Sequence, residues 1–105
     1  MGRRENEYQA GLIKRIKERF PGCVVLKNDS AYIQGMLDLT ILWGDGWGSL
    51  EVKASEDSDF QPNQEYYLDL LNGMSFASPI YPEIEEEVLD ALQQALESPR
   101  RARVS

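Results

Sequence analysis

Several residue types that support common kinds of chemistry are scarce in this chain of 105 residues. It has no histidine and a single cysteine, so a His/Cys zinc site, a histidine general base and an internal disulfide are all excluded. No apolar run is long enough to span a membrane, and the first residues lack the apolar stretch of a signal peptide. We therefore expect a cytoplasmic protein with no membrane partner.

Basic residues are nearly missing from the middle of the chain. Residues 28–98 contain fifteen acidic side chains and one basic side chain, Lys53, and the whole chain carries a net charge of −7. Because phosphate binding depends on Lys and Arg, this balance argues against broad, nonspecific affinity for nucleic acid. The other cations lie near the two ends of the chain. Those on the first helix are candidate nucleic-acid-binding residues, the alternative being that they solvate its outer face: Arg3, Arg4, Lys14, Arg15, Lys17 and Arg19.

Length and hydrophobic periodicity predict one α/β domain with a single modest core. The domain is expected to span residues 1–98, followed by a basic C-terminal tail at 99–105. The predicted elements are a helix at 4–19, strands at 23–27, 37–43 and 50–54, a helix at 62–71, a strand at 75–81 and a helix at 83–97. Strand three, the crossover helix and strand four are expected to form a parallel unit within a mixed sheet.

The single central cation lies two residues after an acid. In a strand, Glu51 and Lys53 point to the same side, and a hairpin turn at Asp45-Gly46 places Asp38 opposite Lys53 on that face. Two neighbouring carboxylates repel each other unless a cation or a proton joins them. Their oxygen atoms suit Mg²⁺ or Mn²⁺. The alternative is a half-exposed sheet face on which Lys53 simply neutralises Asp38.

Two further polar side chains are predicted to point inward from helices. At 100° per residue, Glu5 falls on the apolar side of the first helix, whereas Glu7 falls on the opposite side. Gln64 lies on the apolar side of the helix that follows strand three. Each has an ordinary alternative role, because carboxylates stabilise helix N-termini and an amide can cap a helix.

These motifs resemble those of a known family. Gln34-Gly35-Met36-Leu37-Asp38-Leu39, then Glu51-Val52-Lys53, then Gln64, resembles the PD-(D/E)XK nuclease superfamily, and within it the small VRR-NUC nucleases, many of them encoded by phages and related to Holliday-junction resolvases. Leu37 stands where that family has proline. The likeness covers nearly the whole chain and implies a restriction-endonuclease-like αβββαβ core with one extra C-terminal helix.

The resemblance implies a divalent-metal-dependent DNA endonuclease in a phage-infected or prophage-bearing host. In that family Asp38, Glu51 and the carbonyl of Val52 would hold Mg²⁺ or Mn²⁺, and Lys53 would stabilise charge on the phosphate. The catalytic set implied by the family is Glu5, Asp38, Glu51, Lys53 and Gln64. Branched or flapped DNA, including four-way junctions, is the implied substrate.

Two other interpretations stay open at this stage. One is a noncatalytic binding protein, either an inactivated nuclease fold or an acidic phage adaptor. The other is a nuclease subunit that is active only in a larger assembly. The segregated charge also predicts a homodimer, because pairing two subunits brings two sets of cations to one DNA.

Overall fold

One mixed β-sheet of four strands, covered by three α-helices, is the framework of this α/β protein. The computed structural model describes residues 3–97, so the predicted tail at 99–105 lies outside the described residues. The elements are α1 (Arg3–Arg19), β1 (Val24–Lys27), β2 (Leu39–Trp43), β3 (Gly46–Val52), α2 (Gln64–Met74), β4 (Phe76–Ile80) and α3 (Glu85–Glu97), with a single 3₁₀ turn at Pro82–Ile84 before α3. The predicted order of helices and strands is confirmed.

The strands lie in the order β1-β2-β3-β4. β2 is antiparallel to both β1 and β3, whereas β3 and β4 are parallel. Parallel neighbours need a crossover connection, and α2 supplies it. The predicted parallel unit is therefore confirmed.

The hydrophobic core lies between α1, α3 and one face of the sheet. The apolar stripes of the two helices meet alternate residues of the strands, as the periods of helix and strand require. The fully buried core side chains include Leu12, Ile16, Phe20, Leu39, Ile41, Leu50, Val52, Ile80 and Leu92. The opposite face of the sheet carries the polar side chains of the central strands and is partly covered by α2.

The hairpin between β2 and β3 differs from the predicted one. Trp43 pairs with Gly46, so the two central turn residues are Gly44 and Asp45 rather than Asp45 and Gly46. Gly44 has φ +61°, which a glycine at the first central position adopts without strain. The register moves by two residues, and because side chains alternate with a period of two, every residue keeps its predicted face.

The helix boundaries also differ from prediction around α2. Pro62 was expected at the first helical position and Gly73 beyond the end, but the helix begins at Gln64 and runs through Gly73 to Met74. Asn63 precedes it with φ 72°, a left-handed conformation that separates Pro62 from the helix.

In the described part of the chain, no helix combines the length and apolar character needed to cross a lipid bilayer.

Candidate active site

Two carboxylates meet where β2 begins and β3 ends. The ladder pairs Leu39 with Leu50, and its continuation by one residue brings Asp38 opposite Glu51. The prediction that Asp38 lies opposite Lys53 is therefore wrong, although all three residues share one face. Asp38 Oδ2 accepts a hydrogen bond of 2.9 Å from the backbone amide of Val52. The contact that Val52 makes with this group is through its amide, which fixes the position of the Asp38 carboxylate.

Glu51 is buried with one oxygen atom unsatisfied. The residue is 1% exposed. Its Oε2 accepts a hydrogen bond of 2.6 Å from Gln64 Nε2 and lies 3.6 Å from Lys53 Nζ. Its Oε1 is buried and has no hydrogen-bond partner among residues 3–97. Because a buried carboxylate oxygen without a partner costs free energy, Oε1 calls for a proton or a cation.

Lys53 is held in place from several sides. It is 5% exposed, and its Nζ donates hydrogen bonds of 2.8 Å to the carbonyl of Asp59 and 2.9 Å to Gln64 Oε1. The ring of Phe60 lies 5.0 Å from the ammonium group, within the range of a cation–π interaction. Gln64 therefore links the buried cation to the buried Glu51 carboxylate, using its oxygen for one and its nitrogen for the other.

A cleft of about 640 Å³ opens over this group. Four of the five predicted catalytic side chains line it: Glu5, Asp38, Lys53 and Gln64. Glu51 is buried behind them and contacts Gln64. Glu7, by contrast, is exposed and lies 3.9 Å from Arg3. The helical phase that turned Glu5 inward and Glu7 outward is thus confirmed.

Three acids at the cleft, Glu5, Asp38 and Glu51, have raised pKa values. Burial, reinforced by the negative charge of Asp38, raises the pKa of Glu51 from 4.5 to about 8. Burial also raises the pKa of Asp38, against the opposing effect of the Val52 amide. Burial and the charge of Asp38 raise the pKa of Glu5. Negative charge is therefore crowded at this end of the sheet, where a bound cation or a proton relieves it.

The donor atoms fit a hard divalent cation that keeps much of its hydration. No group of three or more Asp, Glu or Cys side chains forms a ready-made ion cage within residues 3–97. Mg²⁺ does not require one, since it commonly binds through one or two carboxylates together with waters and phosphate oxygens. Asp38 and Glu51 supply such a pair, and Glu51 Oε1 is buried without a hydrogen-bond donor among residues 3–97.

Gly35 allows the two walls of the cleft to pack closely. It has φ +90°, and a Cβ atom there would lie 2.5 Å from the Cβ atom of Asn63 and 2.8 Å from the carbonyl oxygen of Pro62. Both the backbone angle and the contact exclude a larger side chain. The segment before Asp38 can therefore lie against the start of α2, which places Gln64 over the site.

The six predicted nucleic-acid-binding cations are not gathered at the cleft. Two of them form ion pairs with α3: Arg15 donates hydrogen bonds of 2.6 and 2.9 Å to Glu85, and Arg19 contacts both Glu86 and Asp90. Both guanidinium groups are therefore paired with acids of α3, and a contact between either of them and DNA stays a prediction. The remaining four are exposed: Arg3, Arg4, Lys14 and Lys17.

Sequence reasoning missed the role of Glu85. A run of acids at the start of a helix is usually solvated and interacts with the helix dipole, but Glu85 is 9% exposed and accepts hydrogen bonds from Arg15 and from the hydroxyl of Tyr8. A signal was present, because Glu85 precedes Val88, Leu89 and Leu92 at helical spacing and so lies on the buried stripe. For Phe60 and the Asp59 carbonyl, the sequence carries no comparable signal.

Comparison with protein-family models, with curated proteins and with solved structures found no match to this chain.

Proposed function

We propose that this protein is a Mg²⁺- or Mn²⁺-dependent DNA endonuclease of the PD-(D/E)XK type, similar to the VRR-NUC nucleases. One observation carries the proposal: Glu51 is buried with an unsatisfied Oε1 beside Asp38, and Lys53 lies next to both at the base of an open cleft. A protein that needed these residues only for folding would gain nothing from crowding two carboxylates there.

The arrangement of elements supports the same proposal. The order of helices and strands is the one that the resemblance implies, with α3 as the extra C-terminal helix. The motif residues come from three separate elements and from the segment before β2, yet they surround one cleft. Convergence of distant residues on one cleft is typical of active sites.

Asp38 and Glu51 would hold the ion, and the resemblance adds the carbonyl of Val52 as a third oxygen donor. When bound, Mg²⁺ or Mn²⁺ supplies Lewis acidity toward a phosphate oxygen and lowers the pKa of a coordinated water. The Val52 amide keeps the Asp38 carboxylate oriented through its hydrogen bond of 2.9 Å. The backbone of β3, the strand that carries Glu51, therefore fixes the position of the other proposed ligand, Asp38.

Lys53 provides the positive charge that stabilises the negative charge building up on the phosphate oxygens during cleavage. A fixed cation in a nearly dry site stabilises such charge far more than a solvated one does. Lys53 Nζ donates one buried hydrogen bond to Gln64 Oε1, which keeps the ammonium group in place. Its other hydrogen bond, to the carbonyl of Asp59, is only partly buried. An entering phosphate oxygen replaces that carbonyl. Glu5, on the cleft wall with a raised pKa, accepts a hydrogen bond or a proton from a water in the cleft.

Two cations are best placed to contact the DNA on either side of this phosphate. Arg3 and Arg4 lie in the same turn of α1 as Glu5 and are exposed. At a rise of 1.5 Å per residue, Lys14 and Lys17 lie about 14–18 Å from Glu5 along the helix axis. The proposed contact with DNA near the cleft therefore falls to the first turn of α1, with the two lysines reaching a more distant part of the duplex.

The experiment that tests this function is a cleavage assay with the purified protein on linear, flapped and four-way DNA. We expect cleavage in Mg²⁺ or Mn²⁺ and none in EDTA. Folded protein that cleaves none of these substrates in either metal would refute the proposal.

A noncatalytic acidic binding protein is the second candidate. The observation in its favour is the loop at 54–61, which carries Glu56, Asp57 and Asp59 and covers Lys53 through Phe60. Such a protein has no need of a divalent cation. Thermal stabilisation by Mn²⁺ that disappears in Asp38→Asn separates the two candidates, because only the nuclease predicts it.

A further inference from the structure

A second cavity lies beside the candidate active site on the same face of the sheet. It has a volume of about 290 Å³, and its floor includes Thr40 of β2 and Ser49 of β3. Met36 lines both this cavity and the cleft, so the two are neighbours. We refer to this second cavity as the side pocket.

The lining of the side pocket suits an uncharged aromatic ring. Asp29 is its one charged residue, so it offers no cation to a phosphate or a carboxylate. Two aromatic side chains, Tyr32 and Trp47, contribute to its wall, together with the aliphatic Ile33 and Leu71. Tyr32 is 85% exposed, so its ring is accessible to a ligand at this wall.

The floor of the side pocket offers hydrogen-bonding groups in a fixed arrangement. Asn28 Nδ2 donates to Thr40 Oγ1 at 3.0 Å, and the hydroxyl groups of Thr40 and Ser49 are 2.9 Å apart. The two hydroxyls share one hydrogen bond, so one of their two protons is left to donate to another group. Ser49 is 2% exposed. When Ser49 donates to Thr40, the proton of the Thr40 hydroxyl is left for an acceptor atom of a ligand at this floor.

The side pocket and the proposed metal-binding residues are in register along two strands. Thr40 lies two residues after Asp38, and Ser49 lies two residues before Glu51. Two strand residues span about 7 Å. A group that enters the side pocket is therefore about one nucleotide away from a phosphate at the cleft.

We propose that the side pocket receives an unpaired nucleobase of the DNA strand that is cut. Aromatic side chains stack on bases that have left the duplex, and polar groups read their edges. A paired base cannot enter, because its faces are stacked and its edge is engaged. The inference rests on the proposed nuclease function and narrows it: the preferred substrate has an unpaired nucleotide next to the scissile bond, as a flap does and a fully paired four-way junction does not.

The test is binding in EDTA, where metal-dependent cleavage cannot occur. Fluorescence anisotropy compares a labelled flapped DNA with a series of copies in which one unpaired nucleotide at a time is abasic. Tyr32→Ala removes the exposed aromatic ring of the side pocket. Tyr66→Ala is the matched control, because Tyr66 is 61% exposed on α2 and lies outside the side pocket.

We expect Tyr32→Ala to weaken binding of the flapped DNA by about tenfold, in the range found for loss of one stacked base. Tyr66→Ala should bind as the wild type does. One DNA of the abasic series should bind the wild type as weakly as the flapped DNA binds Tyr32→Ala. The same abasic DNA should bind Tyr32→Ala no more weakly than the intact flapped DNA does. Equal binding by the two tyrosine variants, or an abasic series without effect, would overturn the proposal.

The same DNAs incubated with Mn²⁺ separate this inference from the proposed function. Cleavage that is insensitive to every abasic position and to Tyr32→Ala would refute the side pocket and leave the nuclease intact. Base-dependent binding that Tyr32→Ala abolishes, without cleavage in any metal, would support the side pocket and refute the nuclease.

Discussion

Replacing Glu51 by glutamine should stabilise the metal-free protein at alkaline pH. The carboxylate is 1% exposed, and its pKa is raised from 4.5 to about 8 by burial and by Asp38. A group whose pKa is raised on folding contributes stability that is complete below its unfolded pKa and is lost as the pH rises through its folded pKa. Wild-type stability in EDTA should therefore fall between pH 5 and pH 8.

The size of the effect follows from the pKa rise. At about 1.4 kcal/mol per unit, the rise corresponds to at most about 5 kcal/mol. The charged site can relax and admit water, which reduces this cost, so we expect the free energy of unfolding of Glu51→Gln to exceed that of the wild type by about 2–4 kcal/mol at pH 8 and to match it at pH 5. The new amide can also donate a hydrogen bond to the Asp38 carboxylate. With no histidine in the chain, few other groups titrate in this interval.

Urea unfolding in EDTA at pH 5, 6.5 and 8 measures the difference, with Glu7→Gln as the exposed control. A second series in Mg²⁺ should restore the stability of the wild type at pH 8 but leave Glu51→Gln unchanged, because only the carboxylate binds the ion. A wild type that becomes more stable between pH 5 and pH 8, or a Glu51→Gln variant less stable than the wild type at pH 8, would refute this reasoning.

Three further substitutions test separate parts of the account. Glu5→Gln should lower the cleavage rate by about tenfold or more without loss of stability, whereas Glu7→Gln should cleave as the wild type does; a sensitive Glu7 would show that the wrong acid was chosen. Gly35→Ala should cost about 1–3 kcal/mol in urea unfolding and reduce cleavage, because of its positive φ and its contact with the start of α2. Glu85→Gln should cost about 1–2 kcal/mol at pH 7, while cleavage is retained. The Arg15 guanidinium lowers the pKa of Glu85, so this loss should fade as the pH falls through the lowered pKa of the folded protein and the wild-type carboxyl becomes protonated.

Local periodicity predicted two features of the molecule. One is the order of helices and strands, and the other is the common face of the sheet on which the site residues of the strands lie. The hairpin register was predicted wrongly, yet the error of two residues left Asp38, Glu51 and Lys53 on one face. Alternation along a strand is thus a more robust predictor of a site than the pairing of individual residues across it.

Burial and long-range pairing could not be predicted in the same way. Arg15 and Glu85 are 70 residues apart in sequence, and nothing local indicates that they form an ion pair. The burial of Lys53 depends on the loop at 54–61, whose polar sequence suggests exposure. The homodimer and the preference for branched DNA stay predictions, because neither follows from the fold of one chain.

The most direct measurement of the central claim is the rate at which flapped DNA is nicked in Mn²⁺ by three folded proteins. These are the wild type, Asp38→Asn, and Asp69→Asn as a control at an exposed position on α2. The account predicts nicking by the wild type and by Asp69→Asn that EDTA abolishes, and no detectable nicking by Asp38→Asn. Nicking by Asp38→Asn at the rate of the wild type, or none by the folded wild type in Mn²⁺ or Mg²⁺, would contradict it.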